Sequence, residues 1–125
     1  MRATLGILGG GAVGAYGRYL VDGLVSRRTT GAFPWGTFVV NISGAFVLGL
    51  LATVLTARTT LDPAIRTSLT IGFLGAYTTF STLAFESARL IEGGNYSAAF
   101  VNLAGSILVG LAAVFAGMAA GRALS

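Results

Sequence analysis

Four long apolar runs, each free of charge across its centre, constrain this chain more than any other feature. The first is Ala3 to Gly17, which continues past Arg18 and Asp22 to about Val25. The others are Thr29 to Ala57, Thr67 to Phe85 and Gly93 to Gly121. A helix needs about 20 mostly apolar residues to cross the hydrocarbon of a bilayer, and each run meets that length. The expected fold is therefore an all-α membrane protein of one domain, 1–125, with four transmembrane helices near 4–25, 34–57, 64–91 and 95–121. The links are short: Ser26–Phe33, Arg58–Asp62 and Glu92–Asn95. Pro34 and Pro63 stand where the second and third helices should begin, a position that tolerates proline. Met1-Arg2 before an apolar run imitates a signal peptide, but no clear small-residue cleavage site follows and three more hydrophobic segments do.

Charge supports the same solvent. Only 10% of the residues are charged, against roughly 25% in soluble domains. All eight basic residues are Arg, scattered rather than clustered, so they read as anchors at the membrane interfaces and not as a nucleic-acid surface. The chain has no Cys and no His. That removes disulfides, thiolate chemistry and the usual general base. No paired carboxylates lie at depth either, so an enzyme is not expected.

The arginines also bear on orientation. With four spans, Arg2, Arg58, Arg66 and Arg122 lie on one side, and Arg27, Arg28 and Arg89, with Arg18 nearby, on the other. The positive-inside rule then has almost no bias to act on. The expectation is dual topology, with two copies packed antiparallel. Small residues suit such packing: Gly6, Gly10 and Gly14 line one helix face, and Gly117 with Gly121 repeats the spacing.

Polar residues at depth are few and grouped. Gly72-Phe-Leu-Gly-Ala-Tyr-Thr-Thr-Phe-Ser-Thr82 brings four hydroxyls, Thr78, Thr79, Ser81 and Thr82, to the middle of the third run around Phe80. One such hydroxyl usually bonds back to the i−4 carbonyl and does nothing else. Four of them beside Gly72 and Gly75 predict a third helix broken mid-membrane. Such breaks occur where the backbone lines a cavity, and freed carbonyls and N–H groups there bind ions. Asn41 shares a face of the second helix with Thr37 and Gly44, and Asn102 with Ser106 forms a second polar stripe on the fourth. Helix–helix hydrogen bonding is the bland reading of both. Arg18 with Asp22, and Glu86 with Arg89, read as local ion pairs near helix ends, Arg18 having an alternative role at a pore entrance. No carboxylate lies in the central part of a span; a cation pore usually shows acidic side chains or a carbonyl filter, and a proton-coupled carrier needs an intramembrane carboxylate. Neutral donors and aromatic ring edges suit a small anion instead.

These segments resemble the small bacterial fluoride channels, the CrcB or Fluc family. Gly14-Ala-Tyr-Gly-Arg18-Tyr19, Gly36-Thr37-Phe-Val-Val-Asn41-Ile-Ser-Gly44 and Gly72 to Thr82 each look like a family motif, and the likeness covers nearly the whole chain. The resemblance implies an antiparallel dimer with two pores along the subunit interface, in the bacterial cytoplasmic membrane. It implies a structural Na⁺ held by backbone carbonyls of Gly75 and Thr78 from both copies. It makes Asn41 a pore residue, aims the ring edge of Phe80 at fluoride, puts Thr82 and Ser106 on a polar track, and sets Arg18 near a vestibule. The activity implied is passive export: HF enters uncharged from an acidic outside, dissociates, and the anion leaves through the channel.

One position departs from the pattern. The family motif reads Phe-Ser-Thr-Phe, whereas this chain reads Phe80-Ser81-Thr82-Leu83. Leu83 fills the space without an electropositive ring edge, and Phe85 at i+5 points elsewhere. The partner is then either a second copy of this chain or a related second subunit. Two rival functions are a four-helix drug exporter of the small multidrug type, which needs a membrane-embedded Glu missing from the first helix, and a noncatalytic membrane assembly protein, which explains the glycines but not the hydroxyls around Phe80.

Overall fold

The computed structural model describes residues 1–58 and 60–125. Every regular element among them is helical: α1 (Arg2–Arg28), α2 (Trp35–Ala57), α3 (Pro63–Thr67), a π-helical segment (Ser68–Leu74), α4 (Gly75–Tyr77), α5 (Phe80–Glu92) and α6 (Tyr96–Leu124). The link expected at 58–62 contains Thr59, which lies outside the described residues. The helices follow the apolar runs, with differences at both ends of the chain: α6 ends at Leu124, not at residue 121. α1 has 27 residues and begins at Arg2, not at residue 4, and ends beyond 25 at Arg28. Its last turn carries Arg27 and Arg28, where cations meet the negative end of the helix dipole.

Local chemistry fixes the other ends. Pro34 is the N-cap of α2, and Phe33, Trp35 and Phe38 form an aromatic cluster there, with ring centroids 4.6 to 5.9 Å apart. Asp62 caps α3, accepting the Ala64 N–H at 2.9 Å, with Pro63 in the first helical position. Arg2 pairs with the same carboxylate and ties the start of α1 to the start of the third span. At the far end of α2, the Leu55 carbonyl accepts from the Arg66 side chain at 3.1 Å and from the Arg58 N–H at 3.3 Å.

Two contacts organise the bundle: α2 along α6, and α1 along the π-helical segment, with α5 on α6. Both rest on glycine. A Cβ on Gly14 would run into the Phe73 carbonyl, and one on Gly117 into the Phe46 carbonyl. Backbones approach this closely only where a side chain is missing. Gly6 and Gly10 face Ser68, and Gly121 faces Thr53, so both glycine stripes of the sequence lie in helix contacts.

Apolar burial is slight. Val40, Leu55, Leu74, Leu83, Leu90 and Ala99 are buried, whereas Leu8, Phe80, Phe100 and Ile107 are each more than 60% exposed. So much exposed apolar surface requires a cover other than water. α2 and α6 are each long and apolar enough to cross a membrane.

Candidate functional site

The third span breaks at Thr78 and Thr79, whose backbones are extended (φ −84°, ψ 157° and φ −148°, ψ 118°). Gly72 and Gly75, the residues expected to loosen the helix, are helical instead. Gly75 has φ −62° and ψ −35°, and Gly72 packs against Ile7 of α1. The glycines provide close approach; the threonines make the break.

Side chains hold the break open. Thr79 is the N-cap of α5, its hydroxyl oxygen accepting the Thr82 N–H at 3.3 Å. Thr79 also donates to the Thr82 hydroxyl at 3.1 Å. From α2, Asn41 grips the Thr79 peptide with both amide atoms: Nδ2 donates to its carbonyl at 3.0 Å and Oδ1 accepts its N–H at 2.8 Å. Thr78 does what isolated membrane threonines do, its hydroxyl donating to the Leu74 carbonyl at 3.1 Å.

These bonds change what the backbone offers. In a continuous helix the Thr79 N–H would serve Gly75 and the Thr82 N–H would serve Thr78. Here the first goes to Asn41 and the second to the Thr79 side chain. The carbonyls of Gly75 and Thr78 are thereby relieved of their helical donors. Beyond the break, the first N–H groups of α5 lack intrahelical acceptors and form the positive end of that helix.

Beside the break lies an open groove of about 400 Å³. Asn41, Gly75, Thr78, Phe80, Leu83 and Ser106 all line it. Its walls are mostly apolar. Phe80 stands out, 80% exposed, while Leu83 is buried against the groove floor. The Ser106 hydroxyl is buried with no partner among the described residues. Sequence reasoning thus named six residues that the fold brings together.

Thr82 and Arg18 lie elsewhere. They share a small cavity of about 10 Å³ with Asp22, Thr37, Val40 and Thr79. Thr79 lines both spaces and separates them. The expected Arg18–Asp22 ion pair is not formed. Arg18 donates through Nε to the Ala76 carbonyl at 3.3 Å, and Asp22 accepts from Ser26 at 3.2 Å. Arginine placed N-terminal to the acid is the weaker order for an i, i+4 pair, and Ala76 lies at the negative end of α4. Glu86 and Arg89 do not pair either: Arg89 lies over the Phe85 ring, 5.9 Å from its centroid. Both border a second groove of about 600 Å³, with Thr82 and Phe85. Phe85 therefore faces away from the Phe80 groove, as its spacing predicts.

The polar stripe of α6 divides by depth of burial. Asn102 is 0% exposed and donates to Ser87 at 2.9 Å, joining α6 to α5. One turn on, Ser106 faces the groove. Two contributions escaped the sequence reading, the cap made by Thr79 and the hydroxyl contact of Tyr77. Thr79 is legible in retrospect as an N-cap three residues ahead of Thr82, a common helix-start spacing. Tyr77 reaches Ser43 of α2 at 3.0 Å, a pair that only the tertiary structure reveals.

Comparison with known proteins shows the family. The family profile described as CrcB-like protein, Camphor Resistance (CrcB), matches residues 5–118. The chain is 42% identical over 124 residues to a protein of Geobacter sulfurreducens named "Fluoride-specific ion channel FluC", spanning 99% of this chain and 100% of that one. A protein of the same name from Maridesulfovibrio salexigens is 41% identical over 98% of this chain and 97% of its own length. A third, from Geotalea daltonii, is 46% identical over 90% of each. With a break, a clamp and a groove built from the motif residues, and with relatives matching along almost its whole length, this chain belongs to the CrcB family.

Proposed function

We propose that this chain forms a fluoride-selective channel that lets cytoplasmic fluoride leave passively across the bacterial cytoplasmic membrane. The observation that carries the reading is the convergence of Phe80, Ser106 and Asn41 on one groove beside a mid-membrane helix break. Each offers a neutral, electropositive group to an anion. The Phe80 ring presents its edge. Ser106 carries a buried hydroxyl with no other partner among the described residues. Asn41 has a second Nδ2 proton beyond the one donated to Thr79. No full positive charge lies among them to trap the ion. The names of the relatives support fluoride as the ion.

In this reading all four long helical stretches span the bilayer, and a second copy in antiparallel orientation closes the open groove. The near-equal arginine count at the two ends supports that pairing. The carbonyls of Gly75 and Thr78, relieved of their helical donors, fit a structural Na⁺, since hard cations take oxygen ligands. That ion would supply fixed charge balance and hold the two breaks together. HF enters uncharged from an acidic exterior, and the released anion follows its gradient outward.

The test is efflux from liposomes containing only the purified protein. Fast loss of fluoride with chloride retained is expected, and Asn41→Ala should stop it. Folded wild-type protein that releases neither ion would overturn the reading of a self-sufficient channel.

A further inference from the structure

We propose that Tyr77 is a positioning residue for the break, acting through Ser43, so that α2 grips the broken span from both of its sides; the inference rests on the channel reading. Ser43 gives its hydroxyl proton to the Val40 carbonyl at 3.1 Å, which leaves its oxygen as the acceptor for the Tyr77 hydroxyl at 3.0 Å. Asn41 and Ser43 are two residues apart on one helix and so face roughly opposite directions. Asn41 holds the second residue of the break, Thr79, and Ser43 holds the last helical residue before it, Tyr77.

Between them the chain crosses α2 at Gly44. A Cβ there would strike the Thr78 methyl and come within 3.1 Å of the Tyr77 ring. The tyrosine is also stacked on Phe73, with ring centroids 6.0 Å apart and planes inclined by 14°. Its ring is therefore fixed by packing and its hydroxyl by one hydrogen bond. The two grips bracket Thr78, the one residue between them, which lines the groove together with Phe80 two positions on. Releasing the Tyr77 end lets Thr78 rotate about the Asn41 clamp, which tilts both residues away from the path.

Tyr77→Phe and Ser43→Ala each delete one end of this bond and leave the ring packing in place. Loss of one net hydrogen bond that orders the site predicts fluoride efflux reduced about tenfold in each. The double variant should fall no further than either single one, because the two changes break the same bond. Ser43→Thr, which keeps the hydroxyl, should restore efflux to the wild-type rate. Melting temperature and dimer size should not follow this pattern. Amide exchange at Thr78 and Thr79 should rise in Tyr77→Phe. Wild-type efflux in both single variants, or additive losses in the double variant, would overturn the proposal. Should the wild-type protein itself not conduct, the channel reading fails separately, and unchanged amide exchange in Tyr77→Phe would then overturn the positioning role as well.

Discussion

Asn41 makes the two hydrogen bonds on which the site depends. An isolated amide at this depth is unfavourable, but here it replaces the two helical partners that Thr79 lacks. Asn41→Ala removes both and leaves a half-buried peptide unsatisfied, so stability should fall by about 2–4 kcal/mol. A thermal melt in detergent reads this directly, and an unchanged melt would refute the clamp. Asn41→Asp keeps an acceptor for the Thr79 N–H but loses the donor and adds a negative charge beside the groove. Its fluoride efflux should be lost even where its fold survives. Asn41 was visible in the sequence because an amide in an apolar run needs a partner. The ion-pair reading of Arg18 failed because its partner is 58 positions away, at Ala76, and the nearby Asp22 offered a local substitute.

At the scale of elements, the break and the glycine contacts obey different rules. Threonine hydroxyls compete with the backbone, and Thr79 uses that competition to start α5. Thr79→Ala should destabilise the protein by about 1 kcal/mol, and Thr79→Ser should restore most of the loss. Glycine in water weakens a helix, which drew the expected break toward Gly72 and Gly75. Against a neighbouring helix the same residue is a contact surface, and both stay helical. Gly14→Val forces a side chain into the Phe73 carbonyl and should cost about 1–3 kcal/mol or prevent assembly. Gly9→Ala, with nothing within 4 Å of its new methyl, should melt like the wild-type protein. The existence and order of the helices were legible because long uncharged runs allow little else. The exact break was not, because it depends on a hydrogen bond from another helix.

At the scale of the molecule, most large apolar side chains point outward, and the groove with Phe80 remains open on one face. Under the proposed function, lipid covers the first kind of surface and another copy inverted in the membrane covers the second. A reporter on the C-terminus should therefore be readable from both sides of the membrane in comparable amounts, and a single orientation would contradict antiparallel pairing. The purified protein should run as a dimer, and cross-links placed at position 80 should join two chains.

Current through a planar bilayer containing only this protein shows whether the groove conducts fluoride. With fluoride at unequal concentrations on the two sides and chloride equal, a steady current that reverses at the fluoride equilibrium potential is expected. A current that follows chloride, or a silent bilayer holding verified dimers, would contradict it.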